Sequence, residues 1–185
     1  MGKDDKDSAR TRALDVLRSA LDDAGVAWEQ PSGDPYTFVA TLPGTRKLST
    51  TCSLRVGEHT LSTNAFVVRH PDENHEAFYR WLLERNTRLG SLAFALDRLG
   101  DVYLVGRLPL GLITAETVDQ LLGEAVAASD SSFDQLLELG FASAIRREWQ
   151  WRTSRGESLA NLAAFRHLIE RTPDTRDENG TEPPK

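Results

Sequence analysis

The stretch SLAFALDRLGDVYLVGRLPLG, Ser91–Gly111, organises the rest of this chain. Two apolar runs, 92–96 and 102–108, flank a loop of three residues that ends in Gly100. A type I turn followed by a glycine in the left-handed conformation suits a loop of this length. We therefore predict a β-hairpin in which Leu96 pairs with Val102. Because both of its faces are apolar, we expect this hairpin to lie deeper than the chain's other hairpin.

The other hairpin is predicted over residues 48–67, where apolar and polar residues alternate. Gly57-Glu58 suits a two-residue turn, which sets Val56 opposite His59 and Leu54 opposite Leu61. One side of this hairpin is then expected to pack against the core. The other face is polar and is expected to be wet; it carries Ser49, Thr51, Ser53, Arg55, Thr60, Ser62 and Asn64.

Helical periodicity marks four further segments. The first is expected to begin at a Ser8 cap and to end at Gly25. A second is expected to run to about Leu89, and a third to begin at a Thr114 cap. At 129–132 we expect either a kink or a new helix capped by Ser132. A last helix is expected over 159–170.

These elements predict one α+β domain with a mostly antiparallel, twisted sheet and helices packed on it. The element order is α-β-β-β-β-α-β-β-α, followed by an extra C-terminal helix. We expect a flexible N-terminus over residues 1–7 and a single domain over 8–171, with its helical extension from about 131 to 171. Residues 172–185 hold no large apolar side chain and are expected to be a disordered tail.

The composition suits an ordinary globular protein, with 39% hydrophobic and 27% charged residues. A net charge of -6 argues against a chain dominated by nucleic-acid binding. Its one cysteine, Cys52, fits a cytoplasmic protein, and no apolar run is long enough to span a bilayer.

Several segments in fixed order resemble YbjN-domain proteins of actinobacterial type. The segments that carry the resemblance are NAFVVR (64–69), FYRWLLERN (78–86), FALD (94–97), GDVYL (100–104), and Leu108-Pro109 with Thr114 and Asp119. The likeness covers about residues 10–150. It implies a fold like that of the type III secretion chaperones, which are homodimers that bind extended segments of client proteins. Family members are often called sensory transduction regulators, and no catalytic residues come with the family.

No motif in the sequence indicates a catalytic, cofactor or metal site. His70 and His75 flank a proline turn without the convergent geometry of a metal site, and Asp97 and Asp101 fit turn chemistry better than calcium binding. Cys52 lies on the predicted core face, as a structural thiol would. We therefore expect no enzyme, no cofactor and no metal.

The most unusual candidate surface lies near the C-terminus, at Arg146, Arg147, Trp149, Trp151, Arg152 and Arg155. Arginine and tryptophan are enriched at interface anchors, which makes this cluster a candidate partner-binding ridge. The competing interpretation is intramolecular: the terminal helix folds back and covers Trp151, with arginine stacked on the aromatic rings.

Three functions follow from these observations. The preferred function is a non-enzymatic, chaperone-like or regulatory module that binds a protein partner or client. A homodimer is one possible state of this module. A small-ligand-binding protein or enzyme would use a pocket between the sheet and the C-terminal helices. A regulator touching nucleic acid through residues 146–155 is the third, and we expect it least.

Overall fold

The computed structural model describes residues 3–170, with side chains from residue 8 onward. The helices are α1 (Lys3–Asp23), α2 (His75–Asn86), α3 (Ala115–Arg155) and α4 (Arg166–Glu170). The strands are β1 (Ala27–Glu29), β2 (Thr37–Pro43), β3 (Ser49–Val56), β4 (Thr60–Val68), β5 (Leu92–Leu96) and β6 (Val102–Pro109). Short 3-10 turns occupy Leu110–Leu112 and Ala160–Phe165. The predicted α+β class and element order are confirmed.

The chain divides into two compact units, Met1–Gly140 and Phe141–Lys185. The second unit therefore begins ten residues later than the helical extension expected from about 131. The single domain over 8–171 stays a prediction, and the predicted tail, 172–185, lies outside the described residues. The first helix begins at Lys3, so the expected start at a Ser8 cap is wrong.

The first unit is built on one six-stranded sheet with the strand order β1-β2-β3-β4-β6-β5. Every neighbouring pair is antiparallel, as the short connections predicted. The pairing of β4 with β6 is irregular between Phe66 and Val68. Val67 is an extra residue of β4 that has no partner residue in β6. The two edge strands are β1 and β5.

The core of this unit lies on one face of the sheet. Strand residues on that face alternate with their neighbours in burial, and Cys52, Leu54 and Leu104 have no exposed surface. The first unit's helices contribute buried side chains to this core, namely Ala13, Leu17, Ala20 and Leu21 from α1, Phe78 and Leu82 from α2, and Val118, Leu121, Leu122, Ala125, Ala128 and Leu136 from α3. Burial of this apolar surface is the main force that holds the unit together.

The β5–β6 hairpin has the predicted register, with Leu96 opposite Val102 and Phe94 opposite Leu104. Gly100 takes a φ of 85°, the left-handed conformation that the loop needed. The expectation that this hairpin lies deeper than the β3–β4 hairpin is wrong, because more positions are buried in β3 and β4 than in β5 and β6. Because β5 is an edge strand, its second face stays half-buried and Leu96 is 46% exposed.

The β3–β4 hairpin has the predicted faces but not the predicted pairs. Val56 lies opposite Leu61, because the turn is centred on Glu58-His59 and Gly57 N donates to Thr60 O at 2.8 Å. Gly57 does not have a positive φ, so it is not the first central residue of the turn, contrary to the prediction from the sequence. The shift by two residues preserves which face each side chain occupies.

Helix α3 runs through Ser129–Ser132 without the expected kink or new start. Ser129 Oγ lies 3.0 Å from Thr50 Oγ1, and Asp130 binds a loop of the sheet. These hydrogen bonds engage the side chains of Ser129 and Asp130, which would otherwise compete for the backbone hydrogen bonds of the helix. The departure from helical geometry comes at Phe141, with φ of -142°. The Thr114 cap is confirmed, since Thr114 Oγ1 accepts from Thr117 N at 3.2 Å.

Candidate interaction surfaces

The face of the sheet opposite the core, here called the open face, is the largest candidate surface of the first unit. Its side chains are exposed or half-buried along the middle of β2, β3, β4 and β6, including Thr41, Thr51, Asn64 and Arg107. One row across the sheet runs from Val39 through Ser53, Asn64 and Val105 to Ala93. These side chains are short, so the surface is flat and permits close approach of another chain.

The polar side of the β3–β4 hairpin, predicted to be wet, forms the centre of this open face. Its predicted residues are all exposed or half-buried, so that prediction is confirmed. A shallow depression lies where β4 meets β6, and its lining includes Ser62, Asn64, Val105 and Arg107.

An aromatic pair interrupts the short side chains at one end of the open face. The rings of Phe66 and Tyr103 meet edge to face, with centroids 5.4 Å apart. Burial raises the pKa of Tyr103, and the carboxylates of Asp97 and Asp101 raise it further. Two carboxylates therefore lie close to the Tyr103 side of this pair.

Lys47 reaches this aromatic pair from the loop between β2 and β3. Its ammonium lies 5.1 Å from the centre of the Phe66 ring and donates to the carbonyl oxygen of Phe66. Burial lowers the pKa of Lys47 from 10.5 to about 8, because the charged form loses solvation. The sequence did not point to this lysine, since its environment depends on a residue that lies nineteen positions away.

The loop that carries Lys47 is held by Asp130 of α3. Asp130 Oδ1 accepts from the backbone N–H groups of Thr45, Arg46 and Lys47 at 2.8, 2.7 and 2.9 Å. Burial alone would raise the pKa of Asp130, but these three bonds outweigh it and hold the pKa below its usual value. A β-carbon at Gly44 would lie 2.3 Å from Lys47 O, so this loop requires glycine there.

A row of polar side chains crosses the other end of the open face. Arg55 on β3 is opposite Ser62 on β4, which is opposite Arg107 on β6. Arg55 is paired with Asp34 at 2.8 Å. We call Arg55, Ser62 and Arg107 the arginine row.

The Trp/Arg cluster predicted near the C-terminus lies in the second unit and is largely engaged within it. Arg146 Nε donates to Leu168 O at 3.0 Å. Arg152 Nε donates to Glu148 Oε1 at 2.6 Å, and Arg152 Nη1 donates to Ser158 O at 3.1 Å. These contacts favour a structural role for Arg146 and Arg152.

The remaining members of the cluster face solvent to different degrees. Trp149 is half-buried and Arg147 is exposed. Arg155 stacks over Trp151 at 4.9 Å from the ring centre, yet Trp151 remains 44% exposed. The intramolecular interpretation is thus correct about the stacking and wrong about the covering of Trp151.

The remaining candidates have structural partners. Asp97 Oδ1 accepts from Leu99 N and Asp101 N, which is the predicted turn chemistry. His70 N donates to Asp101 Oδ1 at 2.8 Å, while the His75 ring packs on Tyr79.

Burial raises the pKa of Cys52 to about 12, which makes this fully buried thiol unreactive, as expected. Within residues 3–170 no group of three or more His, Cys, Asp or Glu residues is arranged to hold a metal ion. Over the same residues, no helix combines the length and apolar character needed to cross a membrane.

Two solved structures share this fold at low sequence identity. A chain of the ExsC-ExsE complex is 18% identical with a TM-score of 0.51, and the match covers 68% of this chain and 94% of that one. YbjN from E. coli is 16% identical with a TM-score of 0.50, over 65% of this chain and 87% of that one. The fold is that of the type III secretion chaperones, as the resemblance implied.

Sequence comparison gives a much stronger match. The uncharacterised protein Rv0487 of Mycobacterium tuberculosis is 49% identical over 168 residues, which cover 88% of this chain and 92% of the relative. The model of the YbjN family, described as "Putative bacterial sensory transduction regulator", matches residues 13–138. This chain therefore belongs to the YbjN family.

Proposed function

We propose that this chain is a non-enzymatic protein-binding module, chaperone-like or regulatory, that receives a partner on the open face of its sheet. The observation that carries the proposal is the asymmetry of the sheet. One face is buried under α1, α2 and α3. The other is uncovered, and its middle row presents short side chains across five adjacent strands, from Val39 to Ala93. No helix of the first unit covers this second face in the described residues, so a partner chain can lie across it.

The fold comparison supports this choice of function. The related chain of the ExsC-ExsE structure was solved in complex with another protein. The core of the first unit is filled by side chains with little or no exposed surface, which favours a surface interaction over a ligand cavity within that core.

A second contact is proposed at the Trp151–Arg155 pair. A 44% exposed tryptophan with a stacked guanidinium offers a large, rigid contact area of the kind that anchors interfaces. Trp151→Ala is expected to weaken partner binding while leaving the thermal unfolding midpoint of the free protein within about 2 °C, since exposed substitutions cost little stability.

Site-specific photo-crosslinking in mycobacterial cells tests the proposal. Asn64→p-benzoylphenylalanine and Thr51→p-benzoylphenylalanine place the probe on the open face, and Glu84→p-benzoylphenylalanine places it on the exposed side of α2 as a control. We expect both open-face probes to capture the same partner and the control to miss it. Capture at Glu84 alone, or no specific product at either open-face position, would overturn the proposal.

A further inference from the structure

We propose that the arginine row selects its partner by charge, binding an extended protein segment that carries carboxylates at one end. This inference rests on the proposed function, because it names the chemistry of the segment that the open face receives. The evidence is the position of the row, the charges around it and the asymmetry of the open face.

The row presents three donor groups side by side. Neighbouring strands are about 4.8 Å apart, so Arg55 and Arg107 flank Ser62 with roughly 10 Å between their backbones. Arg107 is exposed and forms no ion pair among the described residues, whereas the Arg55 guanidinium is held by Asp34 at 2.8 Å. The Ser62 hydroxyl and the Asn64 amide line the same depression as Arg107. A carboxylate entering here meets a guanidinium, a hydroxyl and an amide, and all of these groups can donate to it.

The charge of the open face opposes that of the whole protein. The chain carries a net charge of -6, but the charged groups that the strands place on this face are Arg55, Arg107 and, on the short edge strand, Glu29. Asp34 offsets the charge of Arg55 through their ion pair, so Arg107 supplies most of the positive charge of the row. Lys47 adds a further cation above Phe66. An acidic segment is therefore attracted to this face and repelled by most of the remaining surface, which favours binding in one place.

A second copy of the chain is a poor occupant of the row. In a two-fold arrangement centred on the row, the same patch meets itself, so Arg55 and Arg107 would face the arginines of the partner copy. Like charges opposed in this way cost stability, which favours a different, acidic protein.

A nucleic acid fits less well than a peptide. A phosphate backbone needs a continuous basic track. At the opposite end of this face the Lys47 ammonium is already bonded to the carbonyl oxygen of Phe66, and the carboxylates of Asp97 and Asp101 lie close enough to raise the pKa of Tyr103. Tyr103 and Arg107 are four residues apart on β6, roughly 13 Å along the strand. The two ends of the open face therefore match a segment of two parts. Its carboxylates lie over the arginine row, and its uncharged, apolar side chains lie over Val105 and the Phe66–Tyr103 pair.

The test uses the full chain and three fluorescein-labelled peptides of twelve residues. Each contains two leucines in a serine- and glycine-rich sequence, and they differ at two positions near one end, which hold glutamate, glutamine or lysine. Fluorescence anisotropy at 50 mM NaCl is expected to show that the glutamate peptide binds at least ten-fold more tightly than the lysine peptide. Arg107→Gln is expected to weaken glutamate-peptide binding about five-fold to ten-fold, and 500 mM NaCl should weaken it further.

The matched control is Arg98→Gln, which removes an exposed arginine at the tip of the β5–β6 hairpin. Equal binding of the glutamate and lysine peptides, equal losses for Arg98→Gln and Arg107→Gln, or no binding of any peptide would overturn the charge selection. Tighter binding of a twelve-nucleotide single-stranded DNA than of the glutamate peptide would also overturn it. In each case the photo-crosslinking at residues 51 and 64 still decides the proposed function separately.

Discussion

The side chain of Asn86 closes the exposed edge of β5 by pairing with the backbone of Phe94. Asn86 Oδ1 accepts from Phe94 N at 2.7 Å, and Asn86 Nδ2 donates to Phe94 O at 3.2 Å. The amide thus occupies the place that another strand would take at the centre of β5. An unpaired edge strand invites association with other chains, and this pair of bonds blocks it.

Replacing Asn86 should open that edge. Asn86→Ala leaves the N–H and C=O of Phe94 without these partners, so we expect the free energy of unfolding to fall by about 1–3 kcal/mol. We also expect concentration-dependent self-association in sedimentation velocity. The control is Asn161→Ala, which changes an exposed asparagine in the second unit; equal stability loss in the two variants would contradict the edge-closing role.

Two glycines of α3 provide a matched test of packing. A β-carbon at Gly140 would lie 2.8 Å from Pro71 Cβ and 3.0 Å from the Phe78 ring, whereas one at Gly123 meets nothing within 4 Å. Gly140→Ala should destabilise the protein by about 1–3 kcal/mol through overpacking. Gly123→Ala should stabilise it by about 0.5–1 kcal/mol, because alanine favours the helix. Urea denaturation measures both, and the same sign for the two variants would contradict the packing at Gly140.

Asp130 should make the protein sensitive to acid. Its folded pKa is held below the usual value, so its stabilising contribution is present above about pH 4 and is lost as the pH falls through the folded pKa. Asp130→Ala removes the acceptor of three backbone N–H groups and should cost about 1–3 kcal/mol at pH 7. Unfolding free energies measured from pH 7 to pH 3 should converge for the wild type and the variant, and a constant difference would contradict this role.

Lys47 should have a pH dependence of the same sign as that of Asp130, but in a more alkaline range. Its pKa is about 8 in the folded protein and 10.5 in the unfolded reference, so the unfolded state binds more protons between these values and stability rises with pH there. Relative to Lys47→Met, the wild type should therefore gain stability between pH 8 and pH 10. Guanidinium unfolding at several pH values measures the difference, and a flat difference would show that the amine titrates normally.

The accuracy of the sequence predictions depended on how local the decisive interactions are. The β5–β6 hairpin was predicted in register because its three-residue loop and Gly100 impose one geometry. The β3–β4 hairpin was predicted two residues out of register, because more than one two-residue turn fits around Gly57 and the alternation of side chains is satisfied by either.

The candidate surfaces show the same limit. Alternating polar residues in β3 and β4 predicted a wet face, but the arginine row also needs β6, which joins β4 across the sheet. The enrichment of arginine and tryptophan at 146–155 was evident from the sequence. The sequence did not predict that Arg146 donates to Leu168 O, or that Trp151 stays exposed.

The sequence by itself determined the α+β class, the order of elements, the family and the faces of the main hairpins. The class, the order of elements and the faces follow from side-chain periodicity and turn chemistry, which act over a few residues. The family follows from the resemblance of several segments in fixed order. Only the tertiary structure decided that Asp130 binds the Thr45–Lys47 loop, that Asn86 closes β5, and that Arg55 and Arg107 share one row. Each of these relationships joins segments separated along the chain, and only the folding of the sheet and helices brings their side chains together.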